Sequence, residues 1–457
     1  MANQKMMGYL PNDVPPTGQL ILLGFQHVIT MFPATVFVAL LTGFHVSTVL
    51  FAAGVSTVVA LLLSKRGIGK FIPLFYGSSF SYIGAYLAIT NAEFGVPASD
   101  ALLSQLQAGI LFTGLLNIVV GFVIRAVGKD VVDKVLPPVI TGSVAAVIGF
   151  ALGFAALNLA TENWLVAIIT LFVTVLFSVY LQGRGFIGML PILLGGVVGY
   201  IVAAIFGLVD TSAVGTTAWI VAPHFTFPTF TGSLVVTAIF SVSIMAIATI
   251  PESTAHLYQI SLYVDRTAVE MGREKYELDK SIGFNLILDG IGDLINGLMG
   301  STAGTNYGEN NSLMAITRNY SGPALIMAGV ISMLLGFVGK FSAVVSTVPL
   351  AVSGGLAIYL FGVIGMQGIA LMVESKINLF DPRTLAIGAT IMVIGIGGHI
   401  GFPGGFLPIP ILEGIFPSGL PAIATGAVAG IFMNAIFLVF TPPQVARESA
   451  PMTSSAD

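Results

Sequence analysis

Four carboxylates and two imidazoles stand inside otherwise apolar stretches of this chain, and they are the side chains that could do chemistry. Glu252 follows Pro251 and has His256 four residues on, one helical turn away on the same face. Glu309 opens the run Gly308-Glu309-Asn310-Asn311-Ser312; Asp289 and Asp293 lie one turn apart among Gly290, Gly292 and Gly297; His27 follows Gln26. An ionisable group at bilayer depth costs at least about 2.5 kcal/mol, so each calls for a partner or a purpose. A carboxylate accepts two hydrogen bonds side by side, which matches the N–H donors of a cyclic amide such as a nucleobase. The free N–H groups at the start of a half-helix near Phe80 or Glu309 can meet ring carbonyl oxygens. The Phe80 ring offers a stacking face, worth about 0.5–1.5 kcal/mol beyond its area burial. Desolvation favours the neutral form of a carboxylic acid in general, so proton-driven uptake is physically reasonable with no cofactor beyond the proton gradient and no metal.

Each of these residues also has a structural reading. Glu252 and His256 can pair with one another, and Glu309 can act as a favourable charge at a helix N-terminus. Asp289 fits a hydrogen bond between packed helices as well as a site role, Asp293 stands closer to such packing than to function, and His27 reads first as a hydrogen bonder between helices. Phe80 fits an ordinary core aromatic equally well.

The elements that must position these groups follow from composition. Of 457 residues, 56% are hydrophobic and 8% charged, with a mean hydropathy of +0.97, against roughly 25% charged in a soluble domain. The chain therefore reads as an all-α polytopic membrane protein embedded in the lipid bilayer, because its long apolar stretches lack the alternation of barrel strands. A sliding window gives fourteen segments, at 19–39, 45–63, 75–90, 103–124, 139–157, 163–181, 187–206, 231–255, 281–299, 305–317, 323–339, 347–366, 384–400 and 419–440. The third and tenth are too short to cross a core of about 30 Å as helix alone. With the N-terminus inside, sixteen of the seventeen Lys and Arg residues fall on the cytoplasmic side and only Lys340 lies outside. This predicts a multi-pass protein of the inner (plasma) membrane with both termini cytoplasmic. The stretch 265–280 reads as a cytoplasmic surface helix, and 210–229 as a longer external connection. The polar start, with Pro15 and Pro16, lacks the layout of a cleaved signal peptide.

Seven segments per half would relate the halves by inverted topology. Gly121-Phe122-Val123 recurs as Gly336-Phe337-Val338, the stretch Pro137 to Gly142 as Pro349 to Gly354, and Tyr76-Gly77 as Tyr307-Gly308, in the same order. Short, Gly-interrupted segments at matching positions of two halves point to a transporter's midplane site. Here they are Tyr76 to Phe80 and Tyr307 to Asn311.

These same residues carry a family resemblance. Gln26-His27, Tyr76-Gly77-Ser78-Ser79-Phe80, Glu252 with His256, and Asn306-Tyr307-Gly308-Glu309-Asn310 followed by Met314-Ala315-Ile316-Thr317-Arg318 resemble the nucleobase-ascorbate transporter family over nearly the whole chain, nearest to its bacterial uracil-transporting members. The resemblance implies two inverted seven-segment repeats, with short strands in the broken third and tenth segments. It implies a cytoplasmic tail (1–18), a core domain (19–134 and 231–340), a gate domain that mediates homodimerisation (135–230 and 341–441) and a second cytoplasmic tail (442–457). It makes Glu252 and Glu309 the pyrimidine-binding carboxylates and His256 a nearby polar contact. Phe80 would stack or donate its backbone N–H, and Gly308 and Tyr307 would line the site by backbone. Glu252, Glu309 or His256 would exchange the proton, with Asp289 and His27 supporting the site. Purine members tend to have Gln at the position of Glu309 and Asp at that of His256. Two departures, Ser312 and Ala255 where the family usually has Gly, leave a proton-coupled xanthine or urate permease as the alternative to uracil import.

Other classes are excluded or disfavoured. Zero cysteines exclude disulfides, thiolate metal sites and cysteine nucleophiles. A net charge of −4 without a basic tail argues against nucleic acid. No His-Glu-x-x-His or Ser-His arrangement suggests an intramembrane enzyme, and an anion exchanger would want a basic group at the short segments, where none lies.

Overall fold

The computed structural model describes residues 8–128, 134–414, 416 and 419–440. Lys5, Lys129, Arg447 and the predicted C-terminal tail 442–457 lie outside the described residues. Helices α1 (Thr17–Thr42) and α2 (Val46–Ile68) lead to strand β1 (Tyr76–Ser78), a 3₁₀ turn at Phe80–Tyr82, and helices α3 (Ile83–Thr90) and α4 (Asp100–Val127). Then come α5 (Pro138–Ala160), α6 (Trp164–Tyr180) and α7 (Pro191–Ile205). After a long connection, α8 (Val235–Ile244), α9 (Ala246–Glu270) and α10 (Ile282–Met299) lead to strand β2 (Gly304–Asn306) and α11 (Gly308–Thr317). The chain closes with α12 (Gly322–Leu335), α13 (Leu350–Glu374), α14 (Pro382–Met392) and α15 (Ala422–Val439).

Among the described residues, nine helical stretches are long and apolar enough to cross a membrane, and four more apolar helices are shorter. Their polarity is inverted relative to a water-soluble bundle. On α4, Phe112, Leu115, Leu116, Val119, Phe122 and Val123 face outward, while Gln107, Thr113 and Asn117 are buried. Outward apolar surface on this scale is solvated by lipid rather than water. Helix starts follow local chemistry. Pro138, Pro191 and Pro382 occupy first helical positions, where a missing N–H costs nothing, and Asn163, Ser321 and Asp381 cap the next free N–H groups.

Helix α4 packs on α8 and α10, α12 on α1 and α2, and α13 on α5, α6 and α7. The α4–α10 contact brings backbones together at glycines. A Cβ on Gly114 would stand 2.6 Å from the Gly290 carbonyl oxygen, and one on Gly121 would stand 2.5 Å from that of Gly283. Gly114→Val is therefore expected to cost about 1–3 kcal/mol of stability and to lower the thermal midpoint of the purified protein. Gly153→Val, at a position with nothing within 4 Å of the added Cβ, should leave the midpoint unchanged. A fluorescence-detected thermal ramp in detergent compares them.

Within the third and tenth segments, β1 and β2 pair antiparallel, with Tyr76 opposite Asn306, Gly77 opposite Thr305 and Ser78 opposite Gly304. Close approach of the ribbon to its neighbours requires glycine: a Cβ at Gly77 would sit 2.5 Å from the Tyr307 ring, and one at Gly304 would sit 2.5 Å from the Tyr76 ring.

Three sequence expectations change. The stretch 265–280 is not a separate surface helix: α9 runs on to Glu270, turns at Gly272 (φ +67°) and ends in a 3₁₀ turn at Leu278–Ser281. The twelfth segment does not stop at 366, because α13 continues to Glu374. A second ribbon, Phe406–Leu407 with Leu420–Pro421, lies in the connection before α15, where no strand is expected from the sequence. Lys340 lies beside the 210–229 connection, donating hydrogen bonds to the carbonyls of Val214 and Gly215.

Candidate functional site

Because β1 and β2 are antiparallel, the helical turns that follow them start at opposite ends of the ribbon, one at Phe80 and the other at Gly308. Each start leaves backbone N–H groups without intrahelical partners. Beside them α9 carries Glu252 just after Pro251, a residue that removes one helical hydrogen bond.

A cavity of about 880 Å³ lies between these elements and the face of α13. Six of the eight sequence-predicted site residues line it: Phe80, Glu252, His256, Tyr307, Gly308 and Glu309. Asp289 and His27 do not; both are buried behind it. A Cβ on Gly308 would approach His256 Nε2 to 2.9 Å, so glycine lets α11 close on α9. His256 Nδ1 and Thr305 Oγ1, on residues that line the cavity, are buried and make no hydrogen bond among the described residues. Such groups carry a desolvation cost of about 1–3 kcal/mol. No Lys or Arg is among the described lining residues, whereas Glu252, Glu309 and Glu374 are.

Tyr307 contributes backbone rather than side chain. Its ring stacks near Phe75, its hydroxyl donates to the Ser78 carbonyl at 3.0 Å, and Thr35 Oγ1 lies 2.8 Å from the same hydroxyl. Phe80 meets Phe361 of α13 edge to face, with ring centroids 6.4 Å apart.

Behind the cavity, polar side chains fix the broken segments. Asp289 accepts from Ser253, and Ser253 Oγ accepts from Asn285 at 2.8 Å and from Asn306 at 2.7 Å. Asp293 Oδ1 accepts from the Tyr76 hydroxyl and the Gly304 N–H, both at 2.8 Å, and its Oδ2 accepts from Asn117 at 3.0 Å. His27 sits 3.1 Å from Asn310 Nδ2, which also donates to the His27 carbonyl, and Asn311 donates to the His256 carbonyl at 3.1 Å. These contacts tie the two strands and the helix that follows β2 to α1, α4, α9 and α10.

Sequence reasoning missed Gln367. It lines the main cavity and also an adjoining one of about 190 Å³ that reaches Phe80, Glu252 and His256. The available signal was a lone amide in an apolar stretch, and ending the twelfth segment at 366 hid it. Ser312 and Ala255, the two departures from the family pattern, both line the main cavity, and Ser312 Oγ donates to the Gly308 carbonyl at 3.0 Å.

A helical multi-pass bundle with a cavity among broken segments is the architecture of a membrane transporter. The pattern of the Permease family matches residues 18–404. The chain belongs to this family, the nucleobase-ascorbate transporters. It is 34% identical to a uracil permease of Bacillus caldolyticus, covering 93% of each chain. With a uracil permease of Escherichia coli K12 it shares 33% identity, over 85% of this chain and 86% of the relative. Among solved structures, the transmembrane domain of the cyanobacterial bicarbonate transporter BicA superposes with a TM-score of 0.58 at 14% identity, over 86% of this chain and 98% of that one. SLC26A9 does so with a TM-score of 0.60 at 12% identity, over 92% of this chain and 65% of that one. These two likenesses concern the fold alone.

Proposed function

We propose that this protein imports uracil by proton symport, alternating access to one site between a core domain (19–134 and 231–340) and a gate domain (135–230 and 341–441). The observation that carries the reading is the cavity that Glu252 and Glu309 share with Phe80 and the start of α11, with no Lys or Arg among its described lining residues. The two carboxylates accept the ring N–H groups, Phe80 and Gly308 offer backbone N–H groups to the ring carbonyls, and His256 supplies a further polar contact. One of Glu252, Glu309 or His256 takes up the proton, and equal mutual favouring of substrate and proton binding couples their movement.

Packing supports the fourteen-segment inverted repeat. Exchanging each segment with the one seven places away turns the α2–α12 contact into α10–α4, α1–α12 into α8–α4, α6–α7 into α14–α15, and α13–α6 into α5–α14; β1–β2 and α5–α13 map onto themselves. Every one of these contacts falls within the proposed core or within the proposed gate. The cavity extends to Tyr263, Glu374 and Ser375, near Arg266, Lys376 and Arg383, so by the distribution of basic residues this conformation faces inward. Both termini are then cytoplasmic in the plasma membrane. Homodimerisation through the gate rests on the family resemblance.

The test is uptake of labelled uracil into proteoliposomes under an inward proton gradient, with unlabelled xanthine as competitor. Concentrative uptake that collapses with an uncoupler and ignores xanthine is expected. Accumulation of xanthine without uracil would move the reading to a purine, with Ser312 and Ala255 as the residues that reshape the pocket. If neither base moves, the proposal fails.

A further inference from the structure

Remote from the cavity, the turn between α1 and α2, the start of α4 and the long connection before α8 bring His45, Asp100 and His224 together. Their ligand atoms all lie within 4.8 Å of one another. His224 Nε2 stands 2.9 Å from Asp100 Oδ1, and the His45 and His224 rings are 4.3 Å apart between centroids at 42°. Among the described residues the His45 ring makes no hydrogen bond of its own. Two of the chain's five histidines thus face one carboxylate without a cationic side chain between them.

The backbone around the cluster is fixed independently of it. His45 is the residue before α2, following Gly43 in the left-handed conformation (φ +78°), and Asp100 is the first residue of α4. The His224 carbonyl accepts from Thr48 Oγ1 at 2.6 Å, the Thr226 carbonyl accepts from Gln107 at 2.8 Å, and the Thr229 N–H donates to Ser104 at 2.9 Å. The 224–229 stretch is thereby pinned to α2 and α4. The three side chains are partly or well exposed, and a tetrahedral site with bonds of about 2.0–2.1 Å asks their ligand atoms to close from within 4.8 Å to separations of roughly 3.4 Å.

We propose that His45, Asp100 and His224 form a transition-metal site, with Zn²⁺ as the ion it takes and water in the open position. Two imidazoles with one carboxylate suit Zn²⁺ over Mg²⁺ or Ca²⁺, which need mostly oxygen ligands. The bound ion ties together three chain segments, one of them the connection that leads from the first half of the sequence into the second.

Untagged protein stripped with a chelator is titrated with ZnCl₂ by calorimetry in detergent. One equivalent is expected to bind, and MgCl₂ at the same concentration is expected to give no heat. His45→Asn, Asp100→Asn and His224→Gln should each weaken Zn²⁺ binding at least about tenfold, while His399→Asn leaves it unchanged. Zn²⁺ should raise the thermal midpoint of the wild-type protein and not that of His224→Gln. Equal metal-free midpoints and elution volumes across the variants identify the loss as one of ligands rather than of fold. Absence of Zn²⁺ binding to the wild type, or full binding retained in the His45→Asn/His224→Gln double variant, overturns the assignment.

Discussion

Glu309→Gln is expected to lower uracil affinity by about 10- to 150-fold and to abolish concentrative uptake. A hydrogen bond to a charged group contributes about 1.5–3 kcal/mol, and about 1.4 kcal/mol is a factor of ten in affinity. The amide keeps one acceptor but turns an N–H₂ group toward a ring N–H, so the variant gains a donor-donor conflict as well as losing a charge. The fold should not suffer. The Glu309 carboxylate lines the cavity and, among the described residues, makes no hydrogen bond to another element. An unchanged thermal midpoint with lost binding, read by calorimetry with uracil in detergent, is the expected pattern. A variant that binds uracil as the wild type does would remove Glu309 from the proposed site. Since purine members of the family tend to carry Gln there, the same variant should be tested with xanthine.

What the sequence made legible, and what it hid, divides by the range of the interaction responsible. Long apolar helices such as α2 and α5 are encoded locally, because about 20 apolar residues in a row have few alternatives, and the window positions at 45–63 and 139–157 overlie Val46–Ile68 and Pro138–Ala160. The three-residue strands are another matter. Residues 76–78 and 304–306 are too few for a period-two pattern, and their pairing is made by contacts more than 200 residues apart in sequence, so only the resemblance anticipated them. Gln367 was lost to the opposite failing. A hydropathy window scores Gln367 and Glu374 as the approach of a segment's end, whereas α13 continues for two more turns because both face a cavity instead of lipid. The direction of the Tyr307 side chain was likewise beyond the sequence. The hydroxyl is claimed by Thr35 and the Ser78 carbonyl on two other elements, and no spacing within one segment encodes that.

Asp293 separates the demands of scaffold and transport, and Asp293→Ala is expected to cost several kcal/mol of stability. The residue is fully buried, and its carboxylate is the shared acceptor for Tyr76 of β1, the Gly304 N–H of β2 and Asn117 of α4. Removing it strands two buried donors, the Gly304 N–H and Asn117 Nδ2, each at about 1–3 kcal/mol, and leaves the Tyr76 hydroxyl only the Asp289 carbonyl at 3.0 Å, at the place where the ribbon is held against α10. Both the thermal midpoint and uracil uptake should fall. Asp293→Asn should be far milder. The substituted amide keeps an oxygen for Tyr76 and Gly304 and places its N–H₂ group toward Asn117. The Asn117 Oδ1 makes no hydrogen bond among the described residues, so rotating that side chain converts a donor-donor clash into a hydrogen bond. Stability and uptake retained in Asp293→Asn, with both lost in Asp293→Ala, would assign Asp293 to positioning of the ribbon. Retained stability with lost proton-driven uptake would instead require the negative charge itself, and would place Asp293 on the proton's route beside Glu252 and Glu309.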